Sequence, residues 1–410
     1  MLYLKSAGRF ALFVGLLAGQ SWCVSAIEKT QSLQLINIVD RAVASHPLMQ
    51  RAVAKLDQVK AQSRANSQPL YNPELELDYE SNVDDTSTIG FSQTIDWSDK
   101  QDALKQIGLK NQRSAEAEFI GIRQSIVVDL LRKINRYQAS RVAAFLNSRQ
   151  LDTLEEFVKI ARKRFAVGDI SQIELDLALL TSGELRMRSA KIQANNYNAK
   201  LQLESFFNFE KIDVPKLKIA LISDHSQDSE QLLHRHPKLV QLRMASESAR
   251  AEIKLAERKK TADPTFSINA GKEGKENIIN LGFSMPLHVR NNFSAEVDRA
   301  IANSVAVEQE YLNTYREVLV DVKSTKKDLE LTLSAYRRWT NQSQTGLDTR
   351  AKLLQKLWKS GDLGTTEYLV QIQQTLNTQI AATELKENVL NAWFDYLAAS
   401  GQIDDWLALK

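Results

Sequence analysis

Breakers of regular structure are scarce in this chain, with 7 prolines and 15 glycines among 410 residues. Alanine, leucine, glutamine, glutamate, lysine and serine are abundant instead. That balance excludes a string of small, turn-rich domains and points to a few long helices. Cysteine is scarcer still: Cys23 stands alone, which excludes a disulfide framework and any centre built on several thiolates. A surplus of one charge is also missing. Fifty-three basic residues face 50 acidic ones, a net charge of +3, and the basic residues are scattered along helical faces, so no nucleic acid partner is expected. Outside the N-terminal region no run approaches the roughly 20 apolar residues of a membrane helix. A bilayer-spanning part, if there is one, must be made of strands.

The N-terminus has the three parts of a secretory leader. Lys5 and Arg9 form a basic region, Phe10–Ala18 is an apolar core, and Val24-Ser25-Ala26 offers small residues for cleavage. Residues 1–26 are therefore expected to be a signal peptide, and Cys23 leaves with it. A lipid anchor on Cys23 is disfavoured by the bulky Trp22 just before it.

The remainder repeats itself. His46-Pro47 recurs as His236-Pro237, Asn72-Pro73 answers to Asp263-Pro264, Ile89-Gly90-Phe91-Ser92 to Leu281-Gly282-Phe283-Ser284, and Val167-Gly168-Asp169 to Ser360-Gly361-Asp362. The pairs keep their order at offsets of 190, 191, 192 and 193 residues, which indicates a tandem duplication. The first unit covers 27–212 and the second 213–400, followed by a tail at 401–410. Each unit is expected to hold a helix of about 35 residues (31–67 and 228–262), a β-hairpin (74–97 and 265–287) and a very long helix (98–165 and 293–359). A tight tip (166–171 and 359–365) then leads into a returning helix (171–208 and 364–399). Leu151, Leu154, Val158, Ala161 and Phe165 step by three and four, and Ile173, Leu177 and Leu180 continue the pattern beyond the tip. Each long helix and its return thus form an antiparallel coiled hairpin.

The strands alternate strictly. Leu75, Leu77 and Tyr79 oppose Glu76, Asp78 and Glu80; Ile89, Phe91, Ile95 and Trp97 oppose Thr88, Gly90, Ser92, Thr94 and Asp96. In the second unit Phe266, Ile268 and Ala270 oppose Thr265, Ser267 and Asn269, and Ile279, Leu281, Phe283 and Met285 oppose Ile278, Asn280, Gly282 and Ser284. Such a pattern suits a soluble sheet packed on a helix, and equally a barrel strand with lipid on one side and a lumen on the other. Export, the length of the helices, and Tyr71 and Trp97 near the strand ends favour the barrel. Four strands cannot close one, so three copies supplying twelve are expected. Ionised carboxylates are costly against lipid, which assigns Glu76, Asp78 and Glu80 to the lumen. The first hairpin is then acidic and the second, with Ser267 and Asn269, neutral.

The paired hairpins, the Asn72-Pro73 strand start, Gly282-Phe283-Ser284-Met285-Pro286-Leu287 followed by Arg290-Asn291-Asn292, and the tips Arg164–Ile170 and Leu357–Leu363 together resemble the TolC family of outer-membrane efflux proteins. The proline-leucine and the Arg-Asn after it are similar to its heavy-metal and cation efflux branch. The chain departs from that branch at His288-Val289, at Asn292-Phe293, where a glycine is usual, and at Asp99-Lys100, which lacks the usual glycine before the lysine.

The resemblance implies a homotrimer in the bacterial outer membrane, largely periplasmic, whose twelve-strand β-barrel continues into a twelve-helix tunnel. Residues 210–230 and the tail would form a belt around the tunnel's middle. The tips Val167, Gly168, Asp169, Ser360, Gly361 and Asp362 would touch a periplasmic adaptor, which links the duct to an inner-membrane pump. It also implies a pore gate built on the acid six positions after each tip glycine, here Glu174 and Glu367; a second acid of the family falls on Val370 and is missing.

No nucleophile motif, phosphate loop or metal spacing occurs among the five histidines, His46, His225, His234, His236 and His288. An enzyme is not expected, nor a cofactor. The contrasting possibility is a soluble periplasmic coiled-coil scaffold without channel activity.

Overall fold

The computed structural model describes residues 33–81, 84–219, 222, 229–343 and 346–408. The expected leader, with Cys23, lies outside the described residues, as does most of 220–228. The chain divides into two compact units, each assembled from separated stretches of sequence. One takes the residues up to Pro47, then Arg123–Gln227 and Val320 onward; the other takes Leu48–Ile122 and Asp228–Leu319.

The second of these holds the sheet. Helix α1 (33–45) ends before Pro47, where α2 (Pro47–Ala65) begins. Strands β1 (Glu74–Glu80) and β2 (Thr86–Thr94) follow, then α3 (Lys100–Ala166), 67 residues without a proline. After α4 (Gln172–Glu204) come α5 (Ser229–Arg235), α6 (Pro237–Arg258), β3 (Thr265–Glu273) and β4 (Glu276–Ser284). The strands form one antiparallel sheet in the order β1-β2-β3-β4, so the two hairpins join through β2 and β3. Among the described residues the outer edges of β1 and β4 pair with no strand.

The other unit is helical. It contains most of α3, all of α4, and the C-terminal parts: the end of α7 (Ser294–Ser343), α8 (Leu347–Ser360), α9 (Thr365–Ser400) and α10 (Ile403–Ala408). The loop after α4 is fixed to α3 by one side chain, since Gln138 donates to Pro215 O at 2.8 Å and accepts from Leu217 N at 3.0 Å.

Three expectations need correction. The 35-residue helices are each broken at a His-Pro pair: the proline has no N–H to donate and disfavours helical backbone in the residue before it, so α1 stops before Pro47 and α5 before Pro237. The second long helix is described as two, α7 ending at Ser343 and α8 starting at Leu347, whose N-cap Gly346 adopts φ +137°, far from helical backbone. The expected tail carries a helix over its described residues, 401–408. Its helix α10 buries Ile403, Trp406 and Leu407, and Asp404 receives Arg123 and the Gln124 amide, the latter at 3.1 Å.

Candidate functional site: a two-faced sheet and two helical tips

Register decides what the sheet presents. Directly opposed residues of antiparallel strands point to the same face. One face carries the rows Leu75-Phe91-Ile268-Leu281 and Leu77-Ile89-Ala270-Ile279, with Phe266 opposite Phe283 beside them. The apolar members other than Ala270 are 45–80 % exposed. Among the described residues no helix covers them. An apolar sheet face of this extent open to water would be a strong liability; lipid removes that cost.

The opposite face is polar, and Glu76, Asp78 and Glu80 all lie on it. Glu76 shares its row with Gly90, Asn269 and Asn280, and Asp78 shares one with Thr88, Gly271 and Ile278, the last the one apolar member of these two rows. The Asn269 amide, with its nitrogen turned toward β1, donates to Glu76 Oε2 at 3.3 Å. The third row adds acids to this face: Glu80 is in register with Thr86, Glu273 and Glu276, while Lys272 and Lys275 at the same turn keep the second hairpin neutral in sum.

The start of the sheet is fixed by a buried charge pair that sequence reasoning missed. Lys100 Nζ lies 2.7 Å from Asp263 Oδ1, with side chains 10 % and 6 % exposed. Lys100 also donates to Thr261 O at 2.7 Å, and Tyr71 Oη donates to Asp263 Oδ2 at 2.7 Å. Burial pushes the Asp263 carboxyl up, but the bonds from Lys100 and Tyr71 outweigh it and hold the group below the usual range. The same bond to Asp263 pushes the Tyr71 phenol up to about 12. Tyr71 therefore serves the strand root, a more specific role than the interfacial aromatic expected of it.

Both tips end their helices in the same way. Gly168 N donates to Phe165 O and Asp169 N to Arg164 O; Gly361 N donates to Trp358 O and Asp362 N to Leu357 O. These are Schellman caps, with glycine in the left-handed position at φ +77° and +87°. A Cβ on either glycine would meet nothing within 4 Å, so backbone conformation alone calls for glycine. Val167 is exposed, Asp169 pairs with Arg164 at 3.3 Å, and Ser360 Oγ donates to Asp362 at 2.6 Å.

Beneath the tips Phe157, Trp358 and Tyr368 form a cluster with ring centroids 4.3–5.4 Å apart. The Arg164 guanidinium sits 5.1 Å above the Trp358 ring. Arg164 and Trp358 stood within the tip motifs; Phe157 and Tyr368 carry no local signal beyond helical spacing.

The two gate candidates are unlike. Glu174 closes a capping box: its carboxylate accepts the Ser171 N–H and hydroxyl, both at 2.9 Å. The Ser171 N–H, then its hydroxyl, hold the Glu174 carboxyl below the usual range. Glu367 is exposed in the first turn of α9, behind an N-cap glycine with no side chain to cap it, and accepts from Gln371 at 3.1 Å. Among the described residues no group of three or more His, Cys, Asp or Glu is placed to hold a metal ion. No described helix is long and apolar enough to cross a membrane, which says nothing of a β-barrel.

Residues 38–208 match the outer membrane efflux protein family. A comparison with curated protein sequences finds no match. Solved structures are similar over nearly the whole chain. The Campylobacter jejuni CmeC outer membrane channel is 15% identical with a TM-score of 0.74, over 90% of this chain and 85% of that one. The outer membrane protein VceC of Vibrio cholerae is 17% identical with a TM-score of 0.74, over 90% and 96%. The open state of the Neisseria gonorrhoeae MtrE outer membrane channel is 15% identical with a TM-score of 0.72, over 90% and 89%. This chain has the fold of these channels: long helices with one small antiparallel sheet.

Proposed function

We propose that the whole chain is an outer membrane efflux protein, the passive outer-membrane duct of a tripartite efflux system. The observation that carries this reading is the sheet, which among the described residues has an uncovered apolar face, an acidic and polar opposite face, and two outer edges that pair with no strand. Unpaired edges in lipid are untenable, and joining β4 of one copy to β1 of the next, antiparallel, leaves none. Three copies give twelve strands, an even number in the range of such barrels. Glu76, Asp78 and Glu80 then line a lumen that favours cations and repeats with threefold symmetry.

In the same reading the duplication supplies six hairpin units per trimer, and the long helices continue the duct into the periplasm. Val167, Gly168 and Asp169 with Ser360, Gly361 and Asp362 dock the adaptor, which couples the duct to an inner-membrane pump. Glu367, whose carboxylate no cap engages, is the stronger gate residue, and Glu174 helps to set the shape of its tip. Three copies of one carboxylate converging on a narrow axis would bind cations there. The cargo, whether metal cations or small toxic compounds, is set by the pump.

Membrane fractionation tests this against a soluble scaffold. A protein that needs detergent and runs as a heat-modifiable trimer supports the duct; release by carbonate contradicts it. For the gate, Glu367→Gln should raise resting conductance and weaken cation block in single-channel recordings. Unchanged conductance and block would remove Glu367 from the gate.

A further inference from the structure

The apolar alternation of β4 does not stop where its hydrogen-bond ladder stops. Ile279, Leu281 and Phe283 are followed at the same two-residue spacing by Met285, Leu287 and Val289, beyond the last strand residue Ser284. Exposure rises along the extension, from 45 % at Met285 to 73 % at Leu287 and 85 % at Val289. Val289 N donates to Leu287 O at 2.9 Å, a local turn outside the sheet. His288 Nδ1 lies 2.9 Å from Lys260 O and its ring meets Phe293 edge-on at 4.8 Å, so the turn is held against the end of α6. That end carries exposed Lys259 and Lys260, and exposed Arg290 follows the turn. Arg258 beside them faces Asp99 and Asp102 at 3.6 and 3.8 Å.

Two bulky apolar side chains in a turn, flanked by three exposed cations, match the boundary of a phospholipid leaflet. Irregular backbone is not tolerated against hydrocarbon, which places the turn at the depth of the glycerol and headgroups. Apolar side chains can enter the acyl layer from there while lysine and arginine reach phosphates. We propose that Leu287 and Val289 form an interfacial anchor in the periplasm-facing leaflet of the outer membrane, with Lys259, Lys260 and Arg290 on lipid phosphates. This rests on the channel reading, because it takes the sheet's apolar face to lie in lipid; it adds where the membrane contact ends and which lipid chemistry meets it.

The test uses single cysteines in the full chain carrying Cys23→Ser, labelled with a polarity-sensitive fluorophore and reconstituted into phosphatidylcholine vesicles. The bromines of the lipid are placed either near the headgroup or at mid-chain. Three positions are compared: Val289→Cys, Leu281→Cys on the sheet face and Val167→Cys at a tip. The expected result is that the label at 289 loses fluorescence chiefly to headgroup-proximal bromines, that at 281 to mid-chain bromines, and that at 167 to neither. If 281 is quenched while 289 behaves like 167, the anchor is wrong and the barrel stands; the turn would then be a surface for another protein. If neither 281 nor 289 is quenched, the channel reading fails and the anchor with it. Leu287→Cys provides a second anchor position should Val289→Cys fail to assemble, as judged by the heat-modifiable trimer.

Discussion

Asp99 and Phe293 share one unusual backbone conformation, φ +62° and +57°, each directly before the first residue of a long helix, α3 and α7. They stand 194 residues apart, within two residues of the offsets of 192 and 193 that flank them among the repeated motifs. Left-handed backbone costs a non-glycine residue about 1–2 kcal/mol. The chain therefore bears strain at the entry to both long helices.

Relief of that strain is measurable at Asp99, which is exposed and whose carbonyl, not its side chain, takes the closest bond from Arg258. Asp99→Gly should raise stability by up to about 1 kcal/mol, and Asp99→Val should lower it by about as much or more. Denaturation midpoints of the two variants check this; the opposite order would show that the Asp99 carboxylate matters more than its backbone.

The Lys100–Asp263 pair should behave as a buried pair at the root of the sheet. Removing one partner, as in Lys100→Met or Asp263→Asn, should cost about 3–5 kcal/mol because the other is left buried and unmatched. The double variant Lys100→Met/Asp263→Leu should recover part of that loss. The Asp263 carboxyl titrates below its unfolded value, so its contribution is complete above the usual aspartate range and is lost as pH falls through the folded value. Thermal unfolding across acid pH follows it; an Asp263→Asn variant with unchanged acid sensitivity would contradict the assignment.

At the first tip, Ser171→Ala should cost about 1 kcal/mol through loss of the cap. The Glu174 carboxyl is depressed by the cap, so the cap's support is present above the usual glutamate range and fades as pH falls through the folded value. Trypsin cleavage near the tip, after Arg164, should accelerate in the variant at neutral pH. An unaltered cleavage rate would mean that the cap does not hold the tip.

Under both tips, Trp358→Ala should cost about 3–5 kcal/mol, because a fully buried ring is removed from between Phe157 and Tyr368. Gly168→Ala and Gly361→Ala should each cost only about 1 kcal/mol, since their Cβ atoms would meet open space and only the backbone is strained. Denaturant unfolding of the three variants separates these magnitudes.

Much of this architecture is legible in the sequence because it is periodic. Two-residue alternation places Leu75, Leu77, Phe91 and Leu281 on one face without knowledge of the register, and the Val-Gly-Asp and Ser-Gly-Asp triplets locate the tips. The Ser171-x-x-Glu174 spacing is likewise the signature of a capping box, a local use that competes with gating. Contacts between distant segments are not legible in this way. Lys100 and Asp263 lie 163 positions apart, and neither has a neighbour in sequence that marks it as buried. Glu273 and Glu276 join the row of Glu80 only through strand register. The breaks before Pro47 and Pro237 were signalled by the prolines, but unbroken helical spacing on both sides masks them. Gly346 is the N-cap of α8 within a stretch that helical spacing alone reads as one helix.

The central claim is that the sheet closes with those of two other copies into a pore through lipid. Conductance of the purified full-length chain in a planar bilayer tests it most directly. The account predicts discrete channel steps with a preference for cations, abolished when the trimer is dissociated by heat before reconstitution. A protein that assembles and binds the bilayer without giving any steps, or steps with an anion preference, would contradict it.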